Sequence, residues 1–277
     1  MSELLSKPPL LALPAELRLA ILSHVLIQQP NVGFKPCLPT NPPGRQGLML
    51  DPNYSSSAHL RILLTCRQFR DDFTDLAFRR TTFHITDMHT PFATLIRPLS
   101  DHQIRNLRRL AVIADASHFR DMVHWQKWPY NMESLQLDSL TIVMHMSNHS
   151  HYPSEFTSDM VGLLRRLQNV KSLKFVLNGA NVKGVFKTWY NRLIGLVLKE
   201  DHFQRYDAPG APNLEDTWWT WSYDDEKKWF ELVAQRPKEV MIEAEYMEMV
   251  KPLVQRLVTD MENEEEDNDP RVRIGSH

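Results

Sequence analysis

Only two cysteines stand among 277 residues. That is too few for a disulfide framework, so Cys37 and Cys66 read as free thiols of an intracellular protein, cytoplasmic or nuclear. Glycine is scarce too, with nine in the whole chain and none clustered as a phosphate cradle requires. A Gly-x-Ser-x-Gly elbow and a His-Glu-x-x-His pair are also missing. The chain therefore reads as no enzyme, with no catalytic residue and no cofactor. No apolar run approaches the roughly 18 residues that would span a bilayer. The opening MSELLSKPPLLALP lacks a basic start, an apolar core and a small-residue cleavage site. Without a secretion signal, the sequons at Asn53 and Asn148 read as chance. Positive charge is not in excess: 32 Lys and Arg face 34 Asp and Glu, for a net charge of −2. A protein that binds nucleic acid by displacing counterions is not expected from that balance.

What is present is ordinary for a globular protein, with 42% apolar and 24% charged residues in a chain long enough to bury a sizeable core. The stretch LALPAELRLAILSHVL, residues 11–26, predicts a first helix from about Pro14 to Gln28. Pro14 suits a helix start, and Glu16 sits in the first turn, where it complements the helix dipole. Leu17, Ile21 and Val25 recur every four residues, and Leu22 and Leu26 widen that stripe. Residues 30–57 then gather Pro30, Pro36, Pro39, Pro42, Pro43 and Pro52 among Asn, Gly and Ser, which predicts a long loop with at most a short strand near Val32–Phe34.

A second helix is predicted from about Ala58 to Arg79, with Ile62, Cys66, Phe69, Phe73, Leu76 and Ala77 on one side. On that stripe Cys66 reads as a buried, inert thiol. Thr81–Ile85 is β-branched and aromatic, hence a strand. Leu13, Pro14, Glu16, Leu17 and Arg18, then Leu63 to Gln68 (LLTCRQ), then Thr82–Phe83, together resemble the F-box-like domain of fungal proteins. The resemblance covers roughly residues 10–86. Two features depart from an ordinary F-box: the Pro-rich insert between the helices, and the absence of the terminal tryptophan, for which Phe69 is the nearest substitute.

Further along, three segments share one spacing: Leu107-x-x-Leu110-x-Val112, Leu137-x-x-Leu140-x-Ile142 and Val170-x-x-Leu173-x-Phe175. Each follows a helix-like stretch, at 90–96, 117–123 and 158–167. The pattern resembles the strand signature of leucine-rich repeats without its asparagine ladder. Alternating strands and helices imply parallel strands joined by right-handed crossovers whatever the family. A longer helix is predicted over 182–206. Residues 217–223 read as a strand with Trp219, Trp221 and Tyr223 on one face, and 228–233 as its pairing candidate. A last helix falls between Val240 and Met261, kinked or restarted at Pro252.

The expected architecture is mixed α/β. An F-box-like helical unit spans 10–86 with its insert at 30–57, an irregular body with a parallel, leucine-rich-repeat-like sheet spans 87–261, and a disordered acidic tail spans 262–277. The resemblance implies a protein–protein interaction module whose head holds a cullin-type ubiquitin-ligase adaptor and whose body holds an unknown target. The residues it assigns to adaptor binding are Leu13, Pro14, Glu16, Leu17, Ile21 and Leu22. The Leu17/Ile21 stripe has two destinations at this stage, packing on the second helix or an external partner. A scaffold that uses the F-box-like unit only for folding is the alternative. A nucleic-acid or small-molecule binder built on the tryptophan strand and on Arg105, Arg108, Arg109, Arg165 and Arg166 is a third. His145, His149 and His151 lie close together, but with no carboxylate or cysteine at a supporting distance they read as a loop rather than a metal site.

Overall fold

A computed structural model describes residues 9–29, 31–37, 47–87, 89–90, 92–123, 132–146, 156–180, 182, 186–211, 218–236 and 241–266. The fold is mixed α/β. A short helix α1 (Pro9–Ala12) leads into α2 (Ala15–Val25). Pro14 is extended (ψ 150°) and occupies the N-cap position, so the helix starts one residue later than the sequence suggests. It ends at Val25, because Leu26 and Ile27 turn back onto the last carbonyls.

The insert is not featureless. Phe34–Pro36 (β1) and Leu48–Leu50 (β2) pair antiparallel, which places the strand two residues beyond its expected position. On its outer side β1 pairs with no strand among the described residues, so Pro36 costs no ladder hydrogen bond there. The second predicted helix is broken into α3 (Ser56–Leu60), a 3₁₀ turn (Arg61–Leu64) and α4 (Arg67–Arg80). The break has a local cause. The Thr65 hydroxyl donates back to the Ile62 carbonyl, and Cys66 is extended, its sulfur accepting the Phe69 N–H at 3.4 Å. Cys66 thus caps α4 and does not lie on a buried stripe, a correction to the periodicity reading.

The body is organised by a six-stranded sheet of order β3-β4-β5-β6-β8-β7. Its first four strands, β3 (Thr82–Ile85), β4 (Arg109–Ala114), β5 (Leu137–Met144) and β6 (Val170–Val176), are parallel. Leu110, Leu140 and Leu173 stand in register, as do Val112, Ile142 and Phe175. The repeat spacing in the sequence is the register of the sheet. The crossovers contain α5 (Phe92–Ile96) and α6 (Asp101–Asn106), then α7 (Ala116–Val123), then α8 (Thr157–Arg166). Helix α6 was not anticipated, although Ser100 and Gln103 form a complete capping box at its start.

After β6 the chain enters α9 (Phe186–His202), which widens into a π turn (Phe203–Asp207). The hairpin β7 (Trp218–Asp224) and β8 (Trp229–Gln235) then closes the sheet, with β8 antiparallel to β6. The final helix, α10 (Glu243–Glu266), carries Pro252 inside it without a break. It also continues through Glu262–Glu266, so the expected disordered tail begins in helix; residues 267–277 lie outside the described residues.

Period-two alternation sends Leu110, Leu140, Leu173, Phe230 and Trp219 to one face, where they pack against Phe119, Leu163, Trp189, Ile194 and Tyr246 of the helices. The α9–α10 junction is held by a buried network. Arg205 Nε donates to both Asp201 oxygens (3.1 and 3.0 Å), and the Tyr246 hydroxyl donates to Asp201 Oδ2 at 2.7 Å. Burial, together with that carboxylate, pushes the Tyr246 phenol above its ordinary value. Against the opposite face of the sheet lies the β1–β2 arm. It is anchored where Leu48 N–H donates to the Lys227 carbonyl (2.9 Å) and Leu50 N–H to Asn178 Oδ1 (2.8 Å).

Candidate partner-binding site

Helix α2 has two adjacent rows of side chains four residues apart. Arg18, Leu22 and Leu26 form the inner row, with Leu22 and Leu26 exposing 2% and 4% of their surface. Leu17, Ile21 and Val25, one step round the helix, expose 52%, 41% and 62%. The stripe whose destination the sequence left open is therefore on the outside. Of the residues assigned to adaptor binding, Leu17, Ile21, Pro14 and Glu16 are exposed and Leu13 is half-buried. Leu22 is corrected: it faces the interior, where a partner reaches it only if the helix detaches.

Arg18 explains the orientation. Its guanidinium is buried and donates from Nε (3.1 Å) and Nη2 (2.6 Å) to Asp72 Oδ2 on α4, and from Nη1 to the Leu13 carbonyl. With its amide oxygen turned toward Arg18, Gln68 accepts from Nη2 at 3.0 Å and from Nη1 at 3.2 Å. A buried guanidinium needs this full set of acceptors, because an uncompensated charge in the interior is strongly destabilising. Arg18 from the first quoted motif and Gln68 from the second thus meet in space. Arg18 was not among the expected site residues. Its signal was a lone cation amid apolar residues on α2 with an acid available on α4.

The head is also tied to the body. The Gln28 carboxamide accepts from the Thr82 N–H (3.0 Å) and hydroxyl (2.9 Å) at the free edge of β3, and the Thr82 carbonyl accepts from the Tyr54 and Ser56 hydroxyls at 2.7 and 2.9 Å. Arg79 Nε donates to Asn106 Oδ1 of α6 at 2.6 Å. Leu64, at the end of the 3₁₀ turn, is 83% exposed, which adds a large apolar side chain to the outer surface of this unit.

The other candidates fare differently. Trp219 is buried and its indole donates to the Leu164 carbonyl at 3.1 Å, while Trp221 and Tyr223 pack against the core. Those rings belong to the sheet-to-helix packing and offer no stacking platform. Of the histidine segment, residues 147–151 lie outside the described residues, and among the described residues no group of three or more His, Cys, Asp or Glu is placed to hold a metal. No described helix is long and apolar enough to cross a membrane. No protein-family model, curated protein or solved structure matches this chain.

Proposed function

We propose that the protein is a non-enzymatic interaction module whose α2 face docks a protein partner, a cullin-type ligase adaptor by the F-box-like resemblance, while the body serves a separate target. One observation carries the reading: Leu17, Ile21 and Val25 stand outward while the buried Arg18 guanidinium is clamped to half-buried Asp72. An apolar helix face of this kind suits a groove on a partner. Magnitudes set a limit on it. Burying three half-exposed aliphatic side chains contributes about 3 kcal/mol, whereas a micromolar complex needs about 8 kcal/mol after the cost of association. The partner must therefore reach further, to Leu19 and Ile27 of the same segment or to Leu64, all exposed apolar side chains of this unit.

The scaffold reading has its own support in the hydrogen bonds that join Gln28, Tyr54 and Ser56 to β3. They make the head part of the fold rather than a free module. One set of variants separates the two. Leu17→Asp combined with Ile21→Asp should cost under about 1 kcal/mol in urea unfolding, since both sites are exposed, and should abolish capture of the purified adaptor. Leu22→Ala should cost about 2–5 kcal/mol. An adaptor that binds the doubly substituted protein as well as the wild type, or neither protein, leaves the scaffold reading standing.

A further inference from the structure

The arm and the face of the sheet turned away from the packed helices enclose a cleft of about 270 Å³. Its floor is the middle of the parallel sheet, read in register. Arg109 on β4 stands directly opposite Ser139 on β5, and two residues further along Thr141 on β5 stands directly opposite Lys174 on β6. Two cations therefore flank two hydroxyls. Their backbones are about 12 Å apart by strand spacing and rise, a span that two long side chains converging on one group can close. All four residues line the cleft.

The Lys174 ammonium lies 3.9 Å from the Trp229 ring centroid, and neither Lys174 nor Arg109 forms an ion pair or side-chain hydrogen bond among the described residues. Glu231 stands directly opposite Lys174 across β6 and β8 and accepts from the Ser172 hydroxyl, while Asp224 accepts from Lys227. Neither lines the cleft. Burial lowers the Lys174 ammonium below its ordinary value, outweighing the opposing pull of the Glu231 and Asp224 carboxylates. One wall is apolar, made of Val32, Phe34 and Leu48 from the arm together with Trp229. The Trp229 indole N–H has no acceptor among the described residues.

We propose that this cleft binds a small organic anion, its phosphate or carboxylate held between Arg109 and Lys174 over Ser139 and Thr141, and its short apolar body against Phe34 and Trp229. At about 270 Å³ the cleft is just under the range of drug-sized sites and suits a small ligand better than a nucleotide or a folded peptide. A paired arrangement of guanidinium and ammonium around hydroxyls gives charge-assisted hydrogen bonds, the strong class. This site is independent of the α2 face.

Isothermal titration calorimetry with phenyl phosphate, inorganic phosphate and neutral benzyl alcohol tests it on the full chain. Phenyl phosphate should bind, inorganic phosphate more weakly, and benzyl alcohol least. Arg109→Gln and Lys174→Gln should each weaken phenyl phosphate roughly tenfold or more, and Arg109→Lys should retain most of the binding. Ser139→Leu keeps both charges but fills the floor, and should also remove binding. Circular dichroism melts identify any variant that fails to fold, and the remaining ones decide. Absence of phenyl phosphate binding at millimolar concentration, or binding unchanged in the folded Gln and Leu variants, overturns the assignment.

Discussion

His84 makes the fold acid-sensitive in a way that can be measured. It lies on β3 with its ring against Tyr54 (centroids 4.4 Å apart) and Phe34 (5.6 Å), beneath Gly33 of the arm. Its Nε2 is buried without a hydrogen-bond partner among the described residues. Burial lowers its pKa from 6.5 to about 4. The folded chain keeps the imidazole neutral down to about pH 4, while the unfolded chain takes up a proton below about 6.5. Between those limits the unfolded state binds more protons, so stability falls as pH falls, and the contribution is fully present only above about 6.5. A shift from 6.5 to about 4, at about 1.36 kcal/mol per unit, gives an upper value of about 3 kcal/mol. The arm can lift and admit the proton at the expense of its own contacts, which lowers that ceiling. Urea unfolding of wild type and His84→Phe across this pH range isolates the effect, because the other titrating groups cancel in the difference. Phe keeps the ring contacts and cannot titrate, so the wild type should lose up to about 3 kcal/mol relative to it between about pH 6.5 and pH 4. Parallel curves, or an imidazole that titrates near 6.5 by NMR, would refute the reasoning.

Two further substitutions probe the packing. Arg205→Met removes the guanidinium that neutralises buried Asp201 and should cost about 3–5 kcal/mol; adding Asp201→Leu should recover part of that, and a double-mutant cycle in urea measures the coupling. Gly33 sits at φ +83°, and a Cβ there would overlap the His84 imidazole. Gly33→Ala should therefore both strain the turn and lift the arm, read as faster hydrogen exchange at the Leu48 and Leu50 amides.

The body was the most legible part of the chain. A strand buried on its helix-facing side repeats its apolar positions, so Leu110, Leu140 and Leu173 could be aligned before their pairing was seen. The reversal at β8 was less visible, because an antiparallel strand presents the same alternation as a parallel one and only the connection length differs. The break at Cys66 was hidden because LLTCRQF keeps helical spacing across it; what stops the helix is a hydroxyl and a sulfur bonding to nearby backbone. The arm was hidden by its prolines, which argue against central strands and say nothing against a two-stranded edge. For α2, both candidate rows are apolar, and only Arg18 separates them. Its burial depends on Asp72, which a helical reading of α4 would place on a solvated face. The Asp201–Arg205 pair was missed for the same reason, since charges four residues apart usually mark an exposed surface.

The way the sheet ends has a consequence for how such a chain can change in length. A tandem array grows when a unit of one strand and its crossover is copied, and each new unit needs an open edge on its neighbour. Here the first edge is taken by Gln28, Tyr54 and Ser56 bonding to β3, and the last parallel strand is flanked by an antiparallel hairpin. A duplicated unit placed at either end would have no parallel edge to join. One inserted between β4 and β5 would find both, and would also widen the gap between Arg109 and Lys174 by one strand spacing. Lengthening by internal copying would therefore be tolerated by the scaffold and felt first in the cleft.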